Sequence, residues 1–201
     1  MAAVEDAVAS IRSGQAVILP TDTVYGLCAS PYREGSVRRL YKLKQRPESD
    51  PIAILASSLE MLFDSVPELR GRVGVACSAL LPGPYTLVVP NPARRYRWLT
   101  GGNPEAIGVR VPELDGDAGA VLERVGALAA TSANRHGGAD PRTLHDVPLE
   151  LRAGCAIVLD GGELPGTAST VLDLTGGEPR VVREGAAAAD EAIERLREAV
   201  G

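Results

Sequence analysis

Four polar clusters in this chain have residue types and spacings that could do chemistry. The first is Pro20–Leu27, PTDTVYGL, where two hydroxyls, a carboxylate and a phenol follow the apolar run Gln15–Leu19. Pro20 cannot donate to a sheet ladder, so the strand is expected to end there and leave Thr21, Asp22, Thr23 and Tyr25 at its tip. Gly26 would let the backbone approach a ligand closely. A Thr/Asp helix cap with a tyrosine tucked beneath it reads equally well from these residues. The second cluster is Lys42, Lys44 and Arg46 ahead of Pro47. An extended Lys44–Arg46 would point both cations the same way, as a polyphosphate receptor needs. The same residues also describe a basic helix end that complements the helix dipole.

The third cluster is Ser132 and Asn134, two apart after the small-residue run Ala127–Thr131. A hydroxyl and an amide there could hold phosphate or ribose oxygens, or could simply cap a turn. In the fourth, Arg110 (GVRVP) and Arg183 (VVREG) lie in apolar strands, with Ser169 and Thr170 in STV. A buried arginine needs an anionic partner, which could be Glu113, Asp173, Glu184 or a ligand.

These clusters must be positioned by alternating strands and helices. Val4, Ala7, Val8 and Ile11 predict an amphipathic helix stopped by Gly14. Helices are also expected at Glu34–Lys44, Leu59–Phe63, Glu68–Leu81, Ala118–Val125 and Ala186–Val200. Strands are expected at Ile52–Leu55, Thr86–Val89, Ile107–Val111, Ala127–Thr131, Ala156–Leu159, Thr170–Leu174 and Arg180–Val182. Arg135–Arg142 reads as loop. The irregular alternation indicates an α/β or α+β chain with a mixed sheet, and no obvious linker splits residues 1–201.

Composition narrows the function. The 201 residues are 45% hydrophobic but include one Trp and one Phe, so the core must be aliphatic. Three scattered cysteines without a CxxC predict free thiols in a reducing cytoplasm. The acidic N-terminus does not read as a signal peptide, and no apolar run reaches membrane-span length. A net charge of −5 argues against nonspecific coating of nucleic acid. No P-loop, no GxGxxG, no GxSxG and no metal-ligand spacing is present, and His136 and His145 read as loop histidines.

In order, PTDTVYGL, KxRP, GPYTLVVP, GVRVP, ATSAN, STVLDL and VVREG resemble the YrdC/TsaC family of threonylcarbamoyl-AMP synthases, from about Gln15 to Gly185. The resemblance is to the short, single-domain form. It implies a twisted mixed α/β sheet with flanking helices and an open, concave, basic cleft. It also implies a nucleotidyltransferase that joins L-threonine, bicarbonate and ATP into threonylcarbamoyl-AMP and releases pyrophosphate. Magnesium would arrive with the nucleotide, and partner proteins would pass the group to tRNA beside the anticodon. By the resemblance, Lys44, Arg46, Ser132, Asn134 and Arg183 handle ATP, the Ala130 backbone meets the nucleotide, and Lys44 and Arg46 are catalytic. Thr23, Arg110 and Ser169 match threonine-holding positions. Two departures stand out. Asp50 replaces a frequent Asn and would favour a magnesium-mediated phosphate contact, and Leu55 replaces a frequent His and removes a polar contact to threonine. Alternatives are a non-enzymatic RNA-binding module, a carbamoyl-AMP-forming relative and a YciO-like relative. Weak tRNA or double-stranded RNA binding is compatible with the concave face.

Overall fold

Val4, Ala7, Val8 and Ile11 are all buried, and their spacing builds helix α1 (Ala2–Arg12), stopped where Gly14 turns to φ +87°. The computed structural model describes residues 2–200. The chain then forms strands β1 (Val17–Pro20) and β2 (Tyr25–Ala29), helix α2 (Glu34–Lys44), β3 (Ala53–Ala56), α3 (Leu59–Ser65), α4 (Arg72–Leu80), β4 (Tyr85–Pro90) and β5 (Ala106–Arg110). Helix α5 (Gly116–Val125), β6 (Ala127–Ser132), α6 (Leu149–Gly154), β7 (Ile157–Val158), β8 (Thr170–Asp173), β9 (Arg180–Arg183) and α7 (Ala189–Val200) complete it. The strands form one mixed sheet in the order β7-β1-β2-β6-β3-β5-β4-β8-β9.

Alternation along the strands divides their side chains between two faces. Ile18, Tyr25, Leu27, Ile54, Leu87, Val109 and Ala129 share one apolar cluster with Val37 and Leu40 of α2, Leu62 of α3, Leu80 of α4, Leu151 of α6 and Leu196 of α7. Full burial of each large aliphatic side chain contributes about 1.5–3 kcal/mol. On the opposite face Val17, Leu19, Cys28, Leu55 and Leu128 pack with Val8 and Ile11 of α1 and Val121 and Leu122 of α5. Those two helices cover only part of that face. Over β4, β5 and β8 the outward residues Thr86, Val88, Gly108, Arg110 and Val171 line an open cleft instead.

Several elements differ from the sequence expectations. Strand β1 ends at Pro20 as expected, with Thr21, Asp22 and Thr23 at its tip, but Tyr25 does not belong to that tip. Pro20 pairs with Tyr25, so the segment is a β1–β2 hairpin, and Tyr25–Ala29 is a strand in its own right. The segment is not a helix cap, because Thr21 turns the chain. Its hydroxyl donates to the Val24 carbonyl (2.7 Å) and accepts the Thr23 and Val24 amides (both 3.2 Å). Glu68–Leu81 is not one helix. A 3-10 turn at Pro67–Leu69 precedes α4, and Gly71 at φ +105° separates them. Helix α6 was not expected, and Ala186–Ala188 precedes α7 instead of opening it.

Candidate functional site

The cleft has a volume of about 420 Å³, and its floor is made by what the strands lack: Gly26, Ala53, Gly108 and Ala130 leave room over the sheet centre. Its walls carry Thr23, Arg46, Leu55, Thr86, Arg110, Ser132, Ser169 and Arg183. Three arginines and no carboxylate are among the described residues that line it. Of the residues singled out from sequence, Thr23, Arg46, Ala130, Ser132, Arg110, Ser169 and Arg183 therefore meet in one place. Lys44, Asp50 and Asn134 do not line it.

Lys44 is held instead behind the cleft wall. Gln45 adopts the left-handed conformation (φ 52°) at the end of α2, so Lys44–Arg46 is not extended. The Lys44 ammonium donates to the Ser132 carbonyl and the Asn134 Oδ1 (both 2.6 Å), the Ser132 hydroxyl (3.1 Å) and Thr131 Oγ1 (3.2 Å). Three N–H donors thus meet four acceptors, which fixes the end of β6. Burial lowers the lysine to about 8, Arg46 adds to the shift, and Asp140 opposes it. Asn134 is equally committed: Oδ1 accepts Lys44 and the Ser132 hydroxyl, and Nδ2 donates to the Gly138 carbonyl at 2.6 Å.

Arg46 reaches the cleft, anchored by donation to the Pro51 carbonyl at 3.0 Å, and its buried Nε has no partner. Asp50 stands beside this arginine, 3.9 Å from Nε, and 3.6 Å from His136 Nε2.

At the other end of the cleft, Arg110 is almost wholly buried, and its anionic partner is none of the three suggested by sequence. Asp22 of the hairpin fills that role, bonding to Nη2, which also donates to Thr23 Oγ1 at 3.1 Å. Burial lowers the Arg110 pKa, Asp22 opposes the shift, and Arg183 reinforces it. Arg110 Nε is buried without a partner. Arg183 donates to the Ser169 carbonyl (2.7 Å) and hydroxyl (3.4 Å), and the Ser169 hydroxyl meets Thr86 Oγ1 at 2.8 Å. Thr86 and Asp22 were not assigned from sequence. Strict alternation in Tyr85–Pro90 could have placed Thr86 on the open face, but no local signal pairs Asp22 with Arg110.

Tyr25 is not a cleft residue. It is fully buried, and its hydroxyl donates toward the Gly162 carbonyl (2.8 Å) and Asp160 (3.0 Å) and accepts the Gly161 amide. It thereby fastens the irregular segment 160–168, whose Gly166 amide donates to the Thr23 carbonyl at 2.9 Å. That segment delivers Ser169 to the cleft. Cys28, Cys77 and Cys155 are free, and burial pushes each thiol up to about 12. Among the described residues, no helix is long and apolar enough to cross a membrane.

The fold has known counterparts. A threonylcarbamoyl-AMP synthase of Pyrococcus abyssi is 34% identical over 92% of this chain and 54% of its own length. A Mycobacterium tuberculosis relative is 33% identical over 97% of this chain and 88% of its own. The chain thus spans about half of the Pyrococcus relative and most of the mycobacterial one. Among solved structures, Pyrococcus abyssi Sua5 complexed with L-threonine superposes with a TM-score of 0.86 at 34% identity, over 98% of this chain and 57% of that one. Escherichia coli YciO gives 0.81 at 26% identity, over 92% and 90%. The family model described as "Telomere recombination" (Sua5/YciO/YrdC) matches residues 9–185. By that match, and with the fold agreeing, the chain belongs to the Sua5/YciO/YrdC family.

Proposed function

We propose that this chain is a threonylcarbamoyl-AMP synthase acting as a single domain. The observation that carries the reading is the convergence of Arg46 and Ser132 with Thr23, Arg110 and Ser169 on one cleft floored by Gly26, Gly108 and Ala130. ATP lies over the end that holds Arg46 and Ser132, with the Ala130 backbone beneath it, and its phosphates reach toward Arg183, which is bonded to Ser169. Magnesium would arrive with its phosphates and would offset their charge, and Asp50, beside Arg46, is the carboxylate that would face it. L-Threonine lies at the Arg110 end, its carboxylate on the guanidinium and its hydroxyl on Thr23 or Ser169.

The threonine amine and bicarbonate form a carbamate with loss of water. One carbamate oxygen then attacks the α-phosphorus, the bond from that phosphorus to the bridging oxygen breaks, and pyrophosphate leaves. Holding the carbamate against the nucleotide and away from solvent is the chief task, since carbamates revert in water. Arg46 stabilises the charge that grows on pyrophosphate. Lys44 and Asn134 brace the Ser132 wall and make no phosphate contact of their own. Partner proteins in the cytoplasm would carry the product to tRNA. The test is pyrophosphate release, which should require threonine and bicarbonate together. Release that ignores either substrate would refute the reading.

A further inference from the structure

The cleft is continuous, and its lining holds three guanidinium groups, Arg46, Arg110 and Arg183. A nucleotide with several phosphate charges would be drawn to all of them, including the one that must take the amino acid. The three are not equivalent. Arg183 is exposed and bonds to Ser169 through Nε and Nη2. Arg46 has only a loose approach to the part-exposed Asp50. Arg110 alone has a buried carboxylate on it, with its side chain 8% and that of Asp22 12% exposed.

Asp22 does not itself line the cleft, so it compensates the charge without occupying ligand space. It also removes a donor edge. Arg110 Nη2 is shared between Asp22 and Thr23, and Nε is enclosed without a partner. Nη1 makes no hydrogen bond among the described residues and is left to face the ligand. Arginine favours the two-pronged fork for phosphate and carboxylate alike, and this pairing denies it to both. The discrimination therefore comes from the compensated charge, which costs a multiply charged phosphate more than a single carboxylate. The single carboxylate of an amino acid can be held by Nη1 together with the neighbouring hydroxyls.

We propose that Asp22 is the anion-selectivity residue of the cleft, neutralising Arg110 so that this end accepts an amino-acid carboxylate and turns away the phosphates that Arg46 and Arg183 attract. The proposal rests on the threonine-site reading given above.

Asp22→Asn keeps an oxygen for Nη2 and removes only the charge. Pyrophosphate binding by isothermal titration should show one site in the native protein and a second in Asp22→Asn. In the variant, saturating pyrophosphate should raise the apparent Kd of threonine at least about tenfold, the scale of a charge-assisted contact, while the native Kd stays unchanged. A native-like stoichiometry in the folded variant, or two sites already in the native protein, overturns the proposal. Should Asp22→Asn not fold, Arg110→Gln decides it. That variant should keep native pyrophosphate affinity, and loss of that affinity would show that Arg110 is not insulated. Stoichiometry needs no threonine, whereas absence of threonine binding by the native protein refutes the functional reading alone.

Discussion

The Lys44 ammonium lies 2.6 Å from the amide oxygen of Asn134, across 90 positions of sequence. The contact joins the last residue of α2 to the loop after β6 and makes the lysine a brace for the cleft wall. Replacing Lys44 with Met should leave the acceptors of Ser132 and Asn134 unmatched and cost about 1–3 kcal/mol of stability. The KM for ATP should rise more than that for threonine, because the loosened wall faces the nucleotide. Urea denaturation and initial-rate kinetics together check this; an unchanged midpoint would exclude the brace.

The same lysine gives a pH signature with two opposite signs. Its folded-state pKa is lowered from 10.5 to about 8. Between these values the unfolded chain holds a proton that the folded chain has lost. The Lys44 contribution to stability, read as the difference between the native protein and Lys44→Met, should therefore rise with pH across that window. Activity should fall across the same window, because the neutral amine has fewer donors for Ser132 and Asn134. Lys44→Met should remove the activity trend.

Arg46 reaches the cleft and is expected to meet the phosphates. Arg46→Ala should lose a charge-assisted contact of roughly 1.5–3 kcal/mol and reduce turnover at least tenfold. Its circular dichroism and melting curve should stay near native, as its guanidinium makes one hydrogen bond, to the Pro51 carbonyl.

Threonine selection follows from hydroxyls and Arg110 sharing one wall. Serine keeps every polar group and lacks only the methyl, so its kcat/KM should drop roughly ten- to two-hundredfold. Valine leaves Thr23 or Ser169 unpaired and should fare worse. Arg110→Ala should weaken threonine binding more than ATP binding, measured by separate titrations. The reverse order would exchange the two ends of the cleft.

The thiols should be dispensable. Burial pushes Cys28, Cys77 and Cys155 up to about 12, so thiolate is scarce at neutral pH and alkylating reagents should react slowly with the folded protein. The triple Ala variant should retain activity. Ser at fully buried Cys77 would enclose a hydroxyl and destabilise by about 1–3 kcal/mol.

What the sequence made legible was periodic or local. The spacing of Val4, Ala7, Val8 and Ile11 and the small residues of β6 led directly to real elements. Thr23, Arg110, Ser132, Ser169 and Arg183 followed from their places at strand ends, whereas Arg46 followed from a helix end and Ala130 from the resemblance alone. What it hid depended on contacts made at a distance. Tyr25 looks like a polar cleft residue until Asp160 and Gly162 arrive to satisfy its hydroxyl inside the core. Lys44 and Arg46 look paired until Gln45 turns left-handed between them. Asp22 has no neighbour in sequence that announces Arg110. Helix α6 has only six residues behind Pro148, too few to display a period.

The bond from the Gly166 amide to the Thr23 carbonyl turns the hairpin into a clock. The segment that carries it has no ladder of its own, so this proton escapes to solvent through brief local excursions. An amino acid lodged between Thr23 and Ser169 must suppress those excursions. Deuterium uptake at Gly166 should therefore slow with threonine and be indifferent to ATP alone, reporting occupancy of one half of the cleft from a single backbone proton.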